Sequence, residues 1–303
     1  MNKLFTILLL FILSSTLAQD ENIFERLQAI KNNGLTFYNI DGYNITSQTL
    51  NHPFSEKGLK KTYRKYSIKK DVKKTKDELL PFNNYYAIKN DKITDRLIQH
   101  NSYYFIENYG LITIIQFSSI NKSDKEFERL LVNHIIKRTI PKENFASMTI
   151  DSINFAGREI QLGNNCNWTN VNTIQCPYLG EMNWSIHKDL DDAKSTVEHQ
   201  FEITKSRKSG KVISEETVDI EFEGKETKAK KIIYDFTGVT SLLASMSGGQ
   251  TLTIYYVATE VRDNYVSCVL SFWNNDTITE NGLAPLLEKV MSIKKTNGNK
   301  TYK

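Results

Sequence analysis

Residues 102–140, SYYFIENYGLITIIQFSSINKSDKEFERLLVNHIIKRTI, decide the fold. Two runs rich in aromatic and β-branched residues flank Tyr109-Gly110, a pair suited to a tight turn, and they read as the arms of a hairpin. After Ile120 the period changes. Ser123 and Glu126 have the spacing of a capping box, and Phe127, Leu130, Leu131, His134, Ile135 and Ile136 then recur close to every 3.6 residues. The spacing predicts a helix with one buried stripe directly after the hairpin.

The same succession returns at residues 252–295, LTIYYVATEVRDNYVSCVLSFWNNDTITENGLAPLLEKVMSIKK. Its two β-rich runs turn at Arg262-Asp263-Asn264. A helix is expected next, with Pro285 tolerable in its first turn and a stripe of Leu283, Leu286, Leu287 and Val290. Each copy is preceded by further strand-like segments. GLTFYNIDGYNI in the first half turns at Asp41-Gly42; SINFAGREIQLG and TVDIEFEGKETKAKKIIYDF lie in the second, the latter turning near Gly224.

Strands grouped ahead of a closing helix, twice over, predict an α+β protein of two modules, each an antiparallel β-sheet closed by a C-terminal helix. In element order this pattern resembles the Mog1/PsbP-like architecture. That likeness implies one helix face packed on one sheet face and implies no activity. The expected divisions are a leader at 1–18, a first module at 19–141, a second at 145–295 and a flexible tail at 296–303, with Pro141-Lys142-Glu143-Asn144 as the boundary.

The opening MNKLFTILLLFILSSTLAQD has a basic start at Lys3, an apolar run from Leu4 to Leu13 and small residues up to Ala18. This is the layout of a secretory signal peptide cleaved after Ala18, too short in its apolar core to span a bilayer. The expectation is a soluble protein, secreted or periplasmic, with no transmembrane segment. Hydrophobic content of 40% with 5 prolines and 14 glycines excludes a disordered or collagen-like chain. A net charge of +4 is too small to drive polyanion binding by itself.

The chain has three cysteines. Cys268, in YVSCVLSFW, shares a strand face with Val266, Leu270 and Phe272 and reads as a buried free thiol. Cys166 and Cys176 remain for each other, and an oxidising compartment favours a disulfide. Zinc is disfavoured because no second Cys or His pair completes a tetrahedron. A competing reading makes Cys176 a nucleophile with His187 as base and Asp189, or Asp191, orienting the imidazole, in a hydrolase-like enzyme.

Three further features carry weight. Trp168, Tyr178 and Trp184 lie in or beside the loop that the disulfide would staple, where exposed rings would form a contact surface. Residues 57–76 hold ten basic residues against one acidic. Lys60, Lys61, Arg64, Lys65, Lys69 and Lys70, with Tyr63 and Tyr66 interleaved, have the ingredients of a polyanion site. The alternative is a solvated hairpin whose lysines blunt a sheet edge. Residues 238–250, GVTSLLASMSGGQ, lack the Gly-Lys-Ser/Thr of a phosphate loop and read as a short packed helix or flap through Leu242, Leu243 and Met246. Asp191 and Asp192, like Glu215 and Glu216, read as solvent-facing hairpin ends. No motif for a metal, a cofactor or nucleic acid occurs. The sequence therefore favours a non-enzymatic binder of a protein or polysaccharide partner in the envelope or outside the cell.

Overall fold

The computed structural model describes residues 23–163, 165–238 and 249–294. The leader at 1–18, Leu242, Leu243 and Met246 of the small-residue stretch, and the tail at 296–303 lie outside the described residues. The protein is mixed α+β, with two large, almost wholly antiparallel sheets in two units that divide between Met148 and Thr149.

The first unit contains β1 (Gln28–Asn32), β2 (Leu35–Ile40), β3 (Tyr43–Pro53), α1 (Glu56–Lys65), β4 (Lys74–Thr75), β5 (Asn84–Lys92), β6 (Ile98–Asn108), β7 (Leu111–Ile120), α2 (Lys125–Lys137) and β8 (Phe145–Ala146). Its strand order is β4-β5-β6-β7-β3-β2-β1-β8, antiparallel except for the parallel β1–β8 bridge. The units divide a few residues after the segment 141–144 expected as the boundary. A 3-10 turn at Lys142–Asn144 leads into β8, and Asn144 Nδ2 donates to the Leu27 carbonyl at 2.8 Å, so this segment belongs to the first sheet.

The second unit contains β9 (Ser152–Phe155), β10 (Arg158–Gln161), β11 (Asn167–Asn170), β12 (Thr173–Cys176), β13 (Gly180–His187), α3 (Leu190–Ser206), β14 (Gly210–Phe222), β15 (Lys225–Phe236), β16 (Thr251–Val261), β17 (Asn264–Trp273), α4 (Pro285–Glu288) and β18 (Met291–Ile293). The order in its large sheet is β11-β12-β13-β17-β16-β15-β14-β18. Leaving aside the last-added strand of each unit, the two orders coincide: three strands, a helix, four strands, with the third strand paired to the seventh. The repeat seen in residues 102–140 and 252–295 thus extends to the topology of both sheets.

Each large sheet is covered on both faces. In the first unit α1 lays Leu59 against Phe105, Ile112 and Ile114, while α2 covers the opposite face, packing Leu131 and Val132 on Ile40, Ile45, Ile115 and Phe117. In the second unit Phe201 of α3 packs on Ile232, Tyr234, Ile254 and Tyr256. The other face is covered by the β9–β10 hairpin and α4, through Phe155, Ile160, Leu286 and Leu287. Arg262 clamps that hairpin, donating from Nε to the Ala156 carbonyl at 3.0 Å and pairing, with Arg158, to the nearly fully buried Glu223.

Four local expectations change. The second closing helix is a single turn, because Pro285 starts it and the chain re-enters the sheet at Met291; its four stripe residues are nonetheless buried. Residues 56–65 form a helix capped by Ser55 instead of a hairpin. Asp191 and Asp192 do not end a hairpin: they occupy the first turn of α3, where carboxylates offset the positive end of the helix dipole, and Asp189 is its cap, accepting from the Asp192 amide at 2.8 Å. The cap of α2 is Asp124 rather than Ser123, accepting from the amides of Glu126 (3.1 Å) and Phe127 (3.0 Å). Asp124→Ala is accordingly expected to cost about 1 kcal/mol in urea unfolding, against less than about 0.5 for Ser123→Ala.

Candidate functional site

Along β2, β3 and β7 the side chains on the α2 face change character partway. Alternation places Thr36, Tyr38 and Ile40 on one face of β2, Ile45, Ser47 and Thr49 on that of β3, and Thr113, Ile115 and Phe117 on that of β7. The apolar end of each set lies in the core with α2. The hydroxyl end lies beyond the helix terminus and floors a cleft of about 480 Å³. Here Thr36 pairs with Ser47 and Thr49 with Thr113 across the ladder. The Thr49 and Thr113 hydroxyls are 2.8 Å apart, Tyr38 Oη and Ser47 Oγ are 3.3 Å apart, and Asn108 Nδ2 donates to Thr113 Oγ1 at 3.1 Å.

The wall of the cleft comes from the end of α2 and the chain after it. Arg138 stops the helix in a left-handed conformation (φ 58°), its amide donating back to the carbonyls of His134 and Ile135. Ile135, Ile136, Ile140 and Phe145 supply the apolar lining of the cleft. Four basic residues, Lys31, His134, Arg138 and Lys142, line the cleft, and no Asp or Glu is among its lining residues. His134 is engaged: its Nδ1 is 2.7 Å from Thr139 Oγ1 and its ring stands edge-on to Phe24. Lys31 places its ammonium 4.2 Å above the Phe145 ring.

The residues singled out from sequence are distributed otherwise. Cys166 and Cys176 are bonded, with sulfurs 1.97 Å apart. Cys176 therefore has no thiolate to offer, which corrects the reading of it as a nucleophile. His187 is buried on β13 with Nε2 2.8 Å from Ser267 Oγ, and Asp189 is spent on its helix cap, so the three do not assemble as a triad. Cys268 is buried as expected, and burial pushes its thiol well above the ordinary value.

The three aromatics do not ring a common pocket. Trp184 is 1% exposed and packs between Phe155 and the half-buried Trp168, at 5.8 and 6.0 Å between ring centroids. Only Tyr178 is well exposed; it lines a second cleft of about 400 Å³ with Trp273, Glu181 and Asp276, whose two carboxyls burial holds above their usual range.

Of the basic stripe, Lys60, Lys61, Arg64, Lys65, Lys69 and Lys70 are all exposed, on α1 and just after it. Lys60 pairs with Glu56 at 2.6 Å and Lys65 donates to Gln48 Oε1 at 2.9 Å. Tyr63 and Tyr66 pack edge-on against Phe105 and Tyr103, and their rings carry the ammoniums of Lys74 and Lys65 at 5.6 and 5.7 Å. Among the described residues no cluster of metal-ligating side chains occurs, and no helix is long and apolar enough to cross a membrane.

No protein-family model matches the chain, and no curated protein matches it significantly. Among solved structures it is similar to the di-domain ARO/CYC StfQ from the steffimycin biosynthetic pathway, at 11% identity over 88% of this chain and 74% of that one, with a TM-score of 0.15. A second is the di-domain ARO/CYC BexL from the BE-7585A biosynthetic pathway, at 11% identity over 88% and 82%, with a TM-score of 0.14. Superpositions at such scores carry no information about activity.

Proposed function

We propose that this protein is exported and acts without catalysis, as a binding protein whose ligand site is the cleft of the first unit. The observation that supports binding is the change from apolar to hydroxyl side chains along three adjacent strands, met by a basic wall. A core has no use for four hydroxyls and a phenol at its margin unless water or a ligand meets them. Export is supported by the bonded cysteines, since such pairs persist in oxidising compartments and are rare in reducing ones. The sulfur chemistry on which a hydrolase reading rested is consumed in that bond.

Two measurements test this reading. Fractionation of the source cell is expected to place the chain outside the cytoplasm with Gln19 at its amino terminus. Native mass spectrometry of intact protein incubated with small-molecule extract of that compartment is expected to show one retained compound, released with unchanged mass. Thr49→Trp, which fills the mouth of the cleft from an exposed position, is expected to abolish retention. Equal retention by the plugged variant, or release of a chemically altered compound, would overturn the proposal.

A further inference from the structure

We infer that the ligand of the first-unit cleft is an anionic amphiphile: a carboxylate or phosphate monoester head on a short apolar chain. The inference rests on the reading of this cleft as the ligand site and adds the chemistry that the site selects.

Charge comes first. Lys31, Arg138 and Lys142 line the cleft, and none of them pairs with a carboxylate among the described residues. Elsewhere on this protein basic side chains commonly have an acidic neighbour, as Arg129 has Asp77 at 3.0 Å and Arg26 has Asp41 at 2.9 Å. The exposed carbonyl end of α2 contributes about half a negative charge, which three full positive charges outweigh. The net field in the cleft favours an anion.

Donor geometry narrows the head group. Arg138 offers a planar fork matched to two oxygens of a carboxylate or phosphate, and the lysines add rotatable ammonium donors. Each of the hydroxyl pairs Thr49–Thr113 and Tyr38–Ser47 spends one O–H internally and leaves one to turn toward an anion. The opposite wall, Ile135, Ile136, Ile140 and Phe145, offers nothing to a polar group and a continuous contact for methylenes. A volume of about 480 Å³ falls within the ordinary range for small-molecule sites, roughly 300–1,000 Å³. A bare inorganic anion would leave the isoleucine wall wet, a neutral amphiphile would gain nothing from the three exposed cations, and a cationic one would be repelled by them.

The test is isothermal titration of the intact chain with octanoate, octyl phosphate, inorganic phosphate, octanol and octylamine. Octanoate or octyl phosphate is expected to bind, with the tighter of the two identifying the head group. Arg138→Gln combined with Lys142→Gln, both at exposed positions, is expected to raise Kd at least about tenfold without moving the unfolding midpoint. Raising the salt is expected to weaken the wild-type interaction more steeply than what remains in the variant, which keeps Lys31. Octanol or octylamine binding as tightly as octanoate, in a manner blocked by Thr49→Trp, would overturn the anionic class and leave the cleft as the ligand site. Inorganic phosphate binding as well as octyl phosphate would overturn the apolar half of the inference. Failure of all five probes would overturn the inference outright, while retention of a cell-derived compound would still decide the wider reading.

Discussion

Trp184→Ala is expected to destabilise the second unit by about 3–5 kcal/mol, enough to abolish a separate folded population in a marginal domain. Trp184 stands on β13, which is paired on both sides, by β12 and by β17. Its ring is 1% exposed and lies in the cluster that joins the β9–β10 hairpin, the disulfide and α4 to the sheet. Truncation leaves a cavity that rigid neighbours on a hydrogen-bonded ladder close only in part. Urea unfolding followed by circular dichroism resolves the effect as loss or early onset of one of two transitions. Trp168→Ala, at a half-buried ring, is expected to cost about half as much, and Tyr178→Ala, at a ring 64% exposed, less than about 0.5 kcal/mol. Had the three rings formed one ligand surface, the order would differ: Tyr178→Ala would remove binding and Trp184→Ala would leave stability intact.

The second large effect belongs to the disulfide. Replacing Cys166 and Cys176 together by Ser is expected to lower stability by about 2–3 kcal/mol, because the bond closes a short loop whose freedom the unfolded chain otherwise recovers. Both cysteines are buried, so part of the loss comes from hydroxyls placed in an apolar cluster. The strand that suffers first is β11, which the bond ties to β12 and which has no neighbour on its other side among the described residues. Hydrogen exchange is expected to speed there before elsewhere in the sheet. Thiol titration gives an independent reading. Native protein without reductant is expected to show no reactive thiol, and denatured protein one, from Cys268. Three thiols on denaturation would remove both the stabilisation and the support for export.

How much of this was legible in the sequence depended on whether the physics was local. The turns at Asp41-Gly42, Tyr109-Gly110 and Glu223-Gly224 each need two consecutive residues at positive φ, a demand written directly into the pair of residues that meets it. The stripe of α2 was equally readable, since thirteen residues suffice to show a period. The helix α3 was not. Its inward positions, Ala193, Val197, Phe201 and Thr204, are spaced correctly, but only two are strongly apolar and the rest of the segment is polar or charged. The signal that would have found it is Asp189 acting as a cap, obscured by its resemblance to a catalytic acid.

The cleft was less legible still. Thr49 and Thr113 meet across 64 residues of chain, and nothing near either reports the register that joins them. A shift from apolar to hydroxyl within an alternating strand is visible once the three strands are aligned, and invisible in any one of them. The candidates proposed from sequence were clusters of neighbours along the chain; the site that the sheet builds is assembled from segments far apart in it.

The outermost strands of both sheets are all brief: two residues in β4 and in β8, four in β11, three in β18. They cover little of the strands behind them: β18 pairs only with Ile220, Glu221 and Phe222 of the thirteen-residue β14, so among the described residues 211–219 form a flank that a foreign strand would find open. What guards that flank is charge rather than brevity: Lys211, Glu215, Glu216 and Asp219 stand along it, and their solvated side chains discourage fibril growth from this edge.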